Sequence, residues 1–470
     1  MKKVIMFSAF SALAAGAILT IFYIINGISP FGENLILRND ALYQYNPLLV
    51  EFAERVKDGS SLLFSWQSGF GINFFGTILY YLVNPFNFIS LFFSADNMPT
   101  AFAIIILCST MLISATTAIY LQKSFKKSDL SVIIFSLCYT FCGFYLANYY
   151  NIMWLTCFAM LPLIALGIDK ITKGEKPFVY CISLSFAIIS NFYLGFMLCI
   201  FSVLYFFTRL FSNPVNKKGE ERVKKEKLLP VVFKFGLFSL LSGGISAISL
   251  IPTMYSMNNS YFKNSFTFEG SHFFEVLDFF KVHVSGVVTN QMNPTEMALP
   301  AVAICTIILL LVPLFFFAKK IPINEKIAHA VLLGIFVVSF EIPKVYYAWH
   351  GLSAPAGLPY RFAFIYSFIL VMMAYKAFIN LNDMPKWAIG VAAVLPIFCI
   401  ATNFIDFKKE YLTATIVAMV ATVVFVAIIA LLQNVKKGSK AITAIALTCV
   451  IAEIIGVNYQ KIGTTEKSDY

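Results

Sequence analysis

The sequence predicts an all-α polytopic membrane protein, a bundle of about thirteen transmembrane helices with interfacial helices in its first external loop. Hydrophobic residues make up 59% of the chain and charged residues only 13%, with a mean hydropathy of +0.79, a balance that soluble domains of 470 residues do not have. Apolar runs of the roughly 17–25 residues needed to cross a hydrocarbon core of about 30 Å recur from end to end. Lysines and arginines gather in alternate connections, as the positive-inside rule requires of a multi-pass protein.

Taken in order, spans are expected near residues 4–25, 99–121, 129–148, 152–168, 177–190, 194–211, 230–251, 298–318, 327–341, 362–380, 387–403, 411–433 and 441–457. The first follows Met1-Lys2-Lys3 and is too long for a signal-peptide core, so it reads as an uncleaved span. Lys2, Lys3, Lys123, Lys126, Lys127, Lys170, Lys173, Lys176, Arg209 to Lys227, Lys319, Lys320, Lys326, Lys376, Lys386, Lys436, Lys437 and Lys440 then fall on the N-terminal, cytoplasmic side. That distribution accounts for the net charge of +11 with no nucleic-acid partner. All nine cysteines lie in apolar segments, so no disulfide framework is implied.

Residues 1–457 form one transmembrane domain. The outer side receives the long segments 26–97, 252–297 and 341–361, with a tail over 458–470 that reads as the possible start of a further external domain. Long loops on one face suit a membrane enzyme, whereas an alternating-access carrier would show shorter loops and two similar halves.

The first of these loops holds Arg38-Asn39-Asp40-Ala41-Leu42-Tyr43-Gln44-Tyr45. Asn46 suits a helix cap and Pro47 a first turn. The helix expected after them puts Leu48, Leu49, Phe52 and Val56 on one face and Glu51, Glu54, Arg55 and Asp58 on the other, an amphipathic element for the membrane interface. Asp40, just ahead of it, could act as general base on an acceptor hydroxyl. The same position also suits a plain helix cap. Arg38 is expected at the headgroups. A Gly-rich turn over 66–73 and a second interfacial or re-entrant helix around Tyr80–Pro85 complete the loop.

Several segments together resemble the YfhO-type bacterial membrane proteins of the GT-C glycosyltransferase superfamily. They are Asp40-x-x-x-Gln44-Tyr45, Trp66-x-x-Gly69-x-Gly71-x-Asn73, Tyr80-Tyr81-x-x-x-Pro85, Ser190-Asn191-Phe192-Tyr193, and His350 through Pro359-Tyr360-Arg361-Phe362-Ala363-Phe364. The resemblance implies a GT-C-like bundle whose first external loop supplies a catalytic acid. It also implies a sugar donor on polyprenyl phosphate, used at the outer face of a bacterial cell membrane, and a cell-envelope acceptor such as a teichoic acid. Only Asp40 matches the loop-one acid. Many GT-C enzymes pair two acids there; the neighbour here is Asn39, which favours a lone base with no metal, and no cofactor is expected.

Arg361, entering a helix beside Pro359 and Tyr360, suits the donor phosphate, because guanidinium binds phosphate oxygens bidentately; snorkelling to headgroups is the alternative. Gln44, Tyr45, Asn191, Tyr193 and His350 are the expected substrate contacts, with Trp349 and Tyr346 beside His350 as a stacking surface. In the 252–297 loop, His272, Glu275 and Asp278 would share a helix face for acceptor contacts, while an ordinary solvated helix explains them as well. The alternatives to a transferase are a transporter or flippase of lipid-linked sugars and a non-catalytic envelope-assembly scaffold. Against transport, the spans offer few polar candidates besides Lys234 and Glu453.

Overall fold

The computed structural model describes residues 2–212, 228–258, 274–287, 299–353, 355, 357–405, 409–434 and 439–466. The described residues form a helical bundle with one short hairpin in loop one, Phe64–Ser65 paired antiparallel with Ile72–Asn73. Helix α1 (Lys2–Ile25) packs along α4 (Met98–Phe125), and loop one between them carries α2 (Asn46–Asp58) and α3 (Phe74–Tyr81). The next apolar run breaks into α5 (Ser131–Thr140) and α6 (Gly143–Asn148), followed by α7 (Ile152–Thr172), α8 (Phe178–Ser190), α9 (Phe192–Ser212) and α10 (Leu228–Asn258). Beyond a short α11 (Val276–Lys281) come α12 (Thr306–Phe317), α13 (Ile323–Glu341), α14 (Pro343–Trp349) and α15 (Ala363–Ile379). A broken pair, α16 (Ala388–Ala392) and α17 (Val394–Ile405), precedes α18 (Leu412–Asn434) and α19 (Ser439–Asn458).

Among the described residues, ten helical stretches are long and apolar enough to cross a membrane. They become eleven if α3 and the Pro85–Phe92 turn, bent by 112°, form one span. Three shorter apolar helices, α8, α12 and α15, occupy the remaining expected places. Their shortness has local causes. Pro177 and Asn191 bound α8, and left-handed residues precede α15. Ahead of α12, residues 299–305 are not helical. That segment lies against the break between α5 and α6, where the Gly143 amide donates to the Ala303 carbonyl at 2.6 Å. A Cβ on Gly143 would sit 2.6 Å from the Ala303 amide nitrogen, so only glycine lets the two backbones meet.

Helices α5, α6, α7 and α15 are almost wholly buried and form the centre, while α10 faces outward along most of its length. Helix α10 also continues past residue 251, through Pro252, to Asn258, so the loop expected from 252 begins later. The Glu453 carboxylate accepts from the Thr306 amide and hydroxyl at 2.8 Å each, capping α12 from α19. Lys234 reaches the Gly174 carbonyl at 3.5 Å.

Loop one differs in phase from the expected helix. Helical turns begin at Ala41 as a π-turn over Ala41–Tyr45 and run directly into α2, so Asn46 lies within the run and is not its cap. Leu48, Leu49, Phe52 and Ala53 are buried as the pattern requires. Glu51, however, is also buried and pairs with Arg55 at 2.7 Å, and Val56 is exposed. The Pro85–Phe92 turn packs on this helix, where Phe52 meets Phe88.

Candidate functional site

Loop one, the α6–α7 and α8–α9 breaks and the α14–α15 connection meet at one end of the bundle. The Tyr45 hydroxyl donates to Asn151 Oδ1 at 2.9 Å and lies 3.4 Å from Asp40 Oδ2. The Asn191 side chain reaches the Tyr80 carbonyl at 3.2 Å, and the Tyr193 hydroxyl meets His350 Nδ1 at 2.6 Å. The site therefore combines segments separated by more than 300 residues of sequence, and helix ends hold it.

Asp40 occupies the N-cap position of the Ala41–Tyr45 turn, yet its side chain makes no capping hydrogen bond. The carboxylate is half-buried and turned toward Tyr45. Asn39 before it is left-handed, at φ 50°. Asparagine is the non-glycine residue that best tolerates this conformation, so the residue that departs from the acidic pair has a backbone reason for being there. Burial, and then the Asp40 charge, push the Tyr45 phenol upward, which keeps it a proton donor to its neighbours.

Arg361 is built by the same device. Tyr360 before it is left-handed at φ 56°, as is Leu358 at φ 43°, a conformation bulky residues rarely adopt and one that clusters at functional sites. The turned backbone carries the guanidinium between two rings, 4.8 Å from the centroid of Tyr193 and 5.1 Å from that of Trp154. Its Nε and Nη2 donate to the carbonyls of Leu358 and Gly357 at 3.0 and 3.3 Å. Cation–π faces of this kind fix the plane of a guanidinium while leaving its formal charge intact.

Tyr81 links the two halves. Its hydroxyl accepts from Gln44 Nε2 at 3.1 Å, its ring lies 5.6 Å from Tyr45, and it feels the charges of both Asp40 and Arg361. His350 is buried, stacks 4.5 Å from Tyr346, and burial together with Arg361 pushes its imidazole down to about 3, so it is neutral at neutral pH. Its Nε2 and the indole N–H of Trp154 are buried with no hydrogen-bond partner among the described residues.

The structure thus brings Asp40, Gln44, Tyr45, Tyr193, His350 and Arg361 into one aromatic cleft. Asn191 is adjacent but fully buried, its amide divided between the Tyr80 carbonyl and the Leu194 N–H, so it holds the α8–α9 turn and does not face the cleft. His272 lies outside the described residues. The face expected for Glu275 and Asp278 does not form: Glu275 precedes α11, and Asp278 pairs with Lys281 at 3.7 Å. Arg38, half-buried, lies beside the Tyr149 phenol and against Gly463. No three His, Cys, Asp or Glu side chains converge on a metal position among the described residues.

Sequence reasoning missed Asn151, which accepts from Tyr45, Trp154, whose ring meets Arg361, and Tyr149 and Tyr150 beside them at the α6–α7 break. The signal was present as Asn148-Tyr149-Tyr150-Asn151, a polar-aromatic run between two apolar ones. It also missed the mount of loop one. Leu35 and Thr465 exchange backbone hydrogen bonds at 2.8 and 3.0 Å, Tyr149 bonds both the carbonyl and the amide of Gly463, and Asn26 reaches the Tyr459 carbonyl at 2.7 Å.

No curated protein matches the sequence. The crystal structure of ArnT from Cupriavidus metallidurans in the apo state aligns over 95% of this chain and 76% of its own, at 10% identity and a TM-score of 0.47. The family described as bacterial membrane protein YfhO matches residues 11–470, and the chain belongs to that family.

Proposed function

We propose that this protein is an inverting membrane glycosyltransferase. It would move a sugar from a polyprenyl-phosphate carrier to a cell-envelope acceptor such as a teichoic acid, at the outer face of a bacterial membrane. The observation that carries the reading is the pair Asp40 and Arg361, a carboxylate and a guanidinium at one end of the bundle, the first 3.4 Å from the Tyr45 hydroxyl and the second 4.8 Å from the Tyr193 ring, with Tyr81 and Tyr80 in ring contact between them. Each follows a left-handed residue that fixes its backbone.

The chemistry follows from the charges. The acceptor oxygen attacks the anomeric carbon as its proton passes to the Asp40 carboxylate. The anomeric C–O bond to the carrier phosphate breaks, and its electron pair leaves on the phosphate. Arg361 then faces one more negative charge than in the ground state, so its attraction grows toward the transition state. Tyr193 and Trp154 hold the guanidinium plane, while the neutral His350 Nε2, the Trp154 N–H and Gln44 offer polar contacts to sugar hydroxyls. Attack from the Asp40 side, opposite the phosphate, inverts the anomeric centre. The basic connections at the other end of the bundle support an outward-facing cleft.

The test is sugar transfer from a lipid-linked donor in membranes carrying wild-type or Asp40→Asn protein at matched levels, together with the glycan content of surface polymers. Loss of transfer with donor accumulating is the expected result. Full transfer by a folded Asp40→Asn protein would return Asp40 to a structural role and move the reading to transport or scaffolding.

A further inference from the structure

Far from the cleft, at the basic end, the buried carboxylates of Asp169 and Glu325 meet the half-buried cations Arg209 and Lys376. Arg209 pairs with Asp169 at 2.7 Å and with Glu325 at 3.5 Å, and Lys376 pairs with Glu325. Ser124 donates to Asp169 at 2.7 Å, Tyr205 does so at 3.1 Å, and Tyr120 and Tyr205 share a hydrogen bond of 3.0 Å. The group borders a cavity of about 70 Å³, with His329 and Met372 among its walls. Two positive and two negative charges balance, so the cluster has no net attraction for a charged ligand.

Its placement is what matters. Asp169 lies near the end of α7, Arg209 near the end of α9, Glu325 at the start of α13 and Lys376 near the end of α15. The opposite ends of the same helices carry the cleft: Trp154 on α7, Tyr193 on α9, His350 on α14 directly after α13, and Arg361 directly before α15. At a 1.5 Å rise per residue, about 22–24 Å of helix separates Trp154 from Asp169 and Tyr193 from Arg209. Lipid tails are as apolar as leucine, so the hydrophobic effect does little to fix how such helices slide or tilt against one another. A buried ion-pair network has few satisfactory arrangements, and breaking it exposes an uncompensated charge.

We propose that Asp169, Arg209, Glu325 and Lys376 are positioning residues. Together they form a charged clamp that sets the register of α7, α9, α13 and α15 and thereby the arrangement of Trp154, Tyr193, His350 and Arg361 at the other end. The bearing of the clamp on catalysis rests on the transferase reading, but its bearing on the cleft geometry does not.

Hydrogen exchange of the purified full chain in lipid nanodiscs separates the two. Glu325→Gln leaves Lys376 without its carboxylate, and exchange in peptides covering 149–154 and 345–361 is expected to rise about threefold or more, although neither touches the substitution. The charge-swapped Glu325→Lys/Lys376→Glu protein should return exchange toward wild type. With a polyprenyl-phosphate monosaccharide as probe, Glu325→Gln should lower kcat by up to about 100-fold, as misplaced reacting groups do. Unchanged exchange at both peptides in folded Glu325→Gln overturns the clamp, whatever the activity. A wild-type protein that transfers no sugar overturns the transferase reading, while exchange still decides the clamp. Should Glu325→Gln not accumulate, Ser124→Ala removes a hydrogen bond to Asp169 without unpairing a charge. A smaller rise in the same peptides then supports the clamp, and no rise overturns it.

Discussion

The two ends of this bundle hold a half-buried arginine in different surroundings. At the basic end, Arg209 lies between the carboxylates of Asp169 and Glu325. At the cleft, Arg361 meets the ring faces of Trp154 and Tyr193 and the carbonyls of Leu358 and Gly357. Cancelling a charge suits a joint between helices. Ring faces fix the plane of a guanidinium, which suits the anion contact proposed for Arg361. The difference teaches that burial, alike at the two arginines, does not distinguish the roles proposed for them, whereas chemical setting does.

Substitutions at each end sharpen that contrast. Asp40→Asn should have the largest effect, lowering transfer by about 10²–10⁴ in kcat with unchanged membrane levels, as measured by donor turnover. Arg361→Gln should lower transfer by about 10²–10³ while shifting thermal stability little; a variant that unfolds but keeps its specific activity would erase the distinction between the two arginines. Arg209→Gln should do the reverse, costing about 3–5 kcal/mol of stability because Asp169 and Glu325 are left buried without it; unaltered unfolding in denaturant titration would count against the paired description.

A smaller effect comes from His350. Its folded-state pKa of about 3 lies below the ordinary 6.5, so the unfolded chain takes up the proton first as pH falls. Its neutral burial therefore costs nothing above about pH 6.5 and destabilises the fold progressively as pH falls from 6.5 toward 3. His283, pushed down to about 4 by burial, adds a slope of the same sign. His350→Phe should flatten the acid limb of the stability–pH profile, and an identical profile would show that the imidazole is not buried neutral. Smallest is Tyr149→Phe, which removes the hydroxyl bonded to Gly463 and should cost about 1 kcal/mol, read as faster proteolysis of the 459–466 segment.

Much of this was legible because bilayers impose strong rules. Apolar runs located the helices, and Asp40, Gln44, Tyr45, Tyr193, His350 and Arg361 stood out as polar or aromatic groups at helix ends. What escaped has physical causes. The pairing of Asp169 with Arg209, and of Glu325 with Lys376, joins residues 40 and 51 positions apart on separate helices, and no local pattern encodes which helix ends meet. Glu51 was placed on the wet face because periodicity cannot show how wide a surface will cover the helix. Asn39 read as a missing acid because sequence shows a side chain before it shows a backbone angle. The short α12 followed from the paired 299–305 segment, a contact between distant residues that hydropathy reads only as more apolar chain.

The strand-like pairing of Leu35 with Thr465 has a consequence for biosynthesis. Loop one emerges early from the ribosome, yet one side of its mount is the segment over 459–465, more than 400 residues further along the chain. The helix ends that line the cleft likewise span most of the chain. Asp40 therefore waits through the insertion of α4 to α19 before its surroundings are complete. A chain made only through its first helices has the acid but no site, so the site forms only once the segment over 459–465 docks.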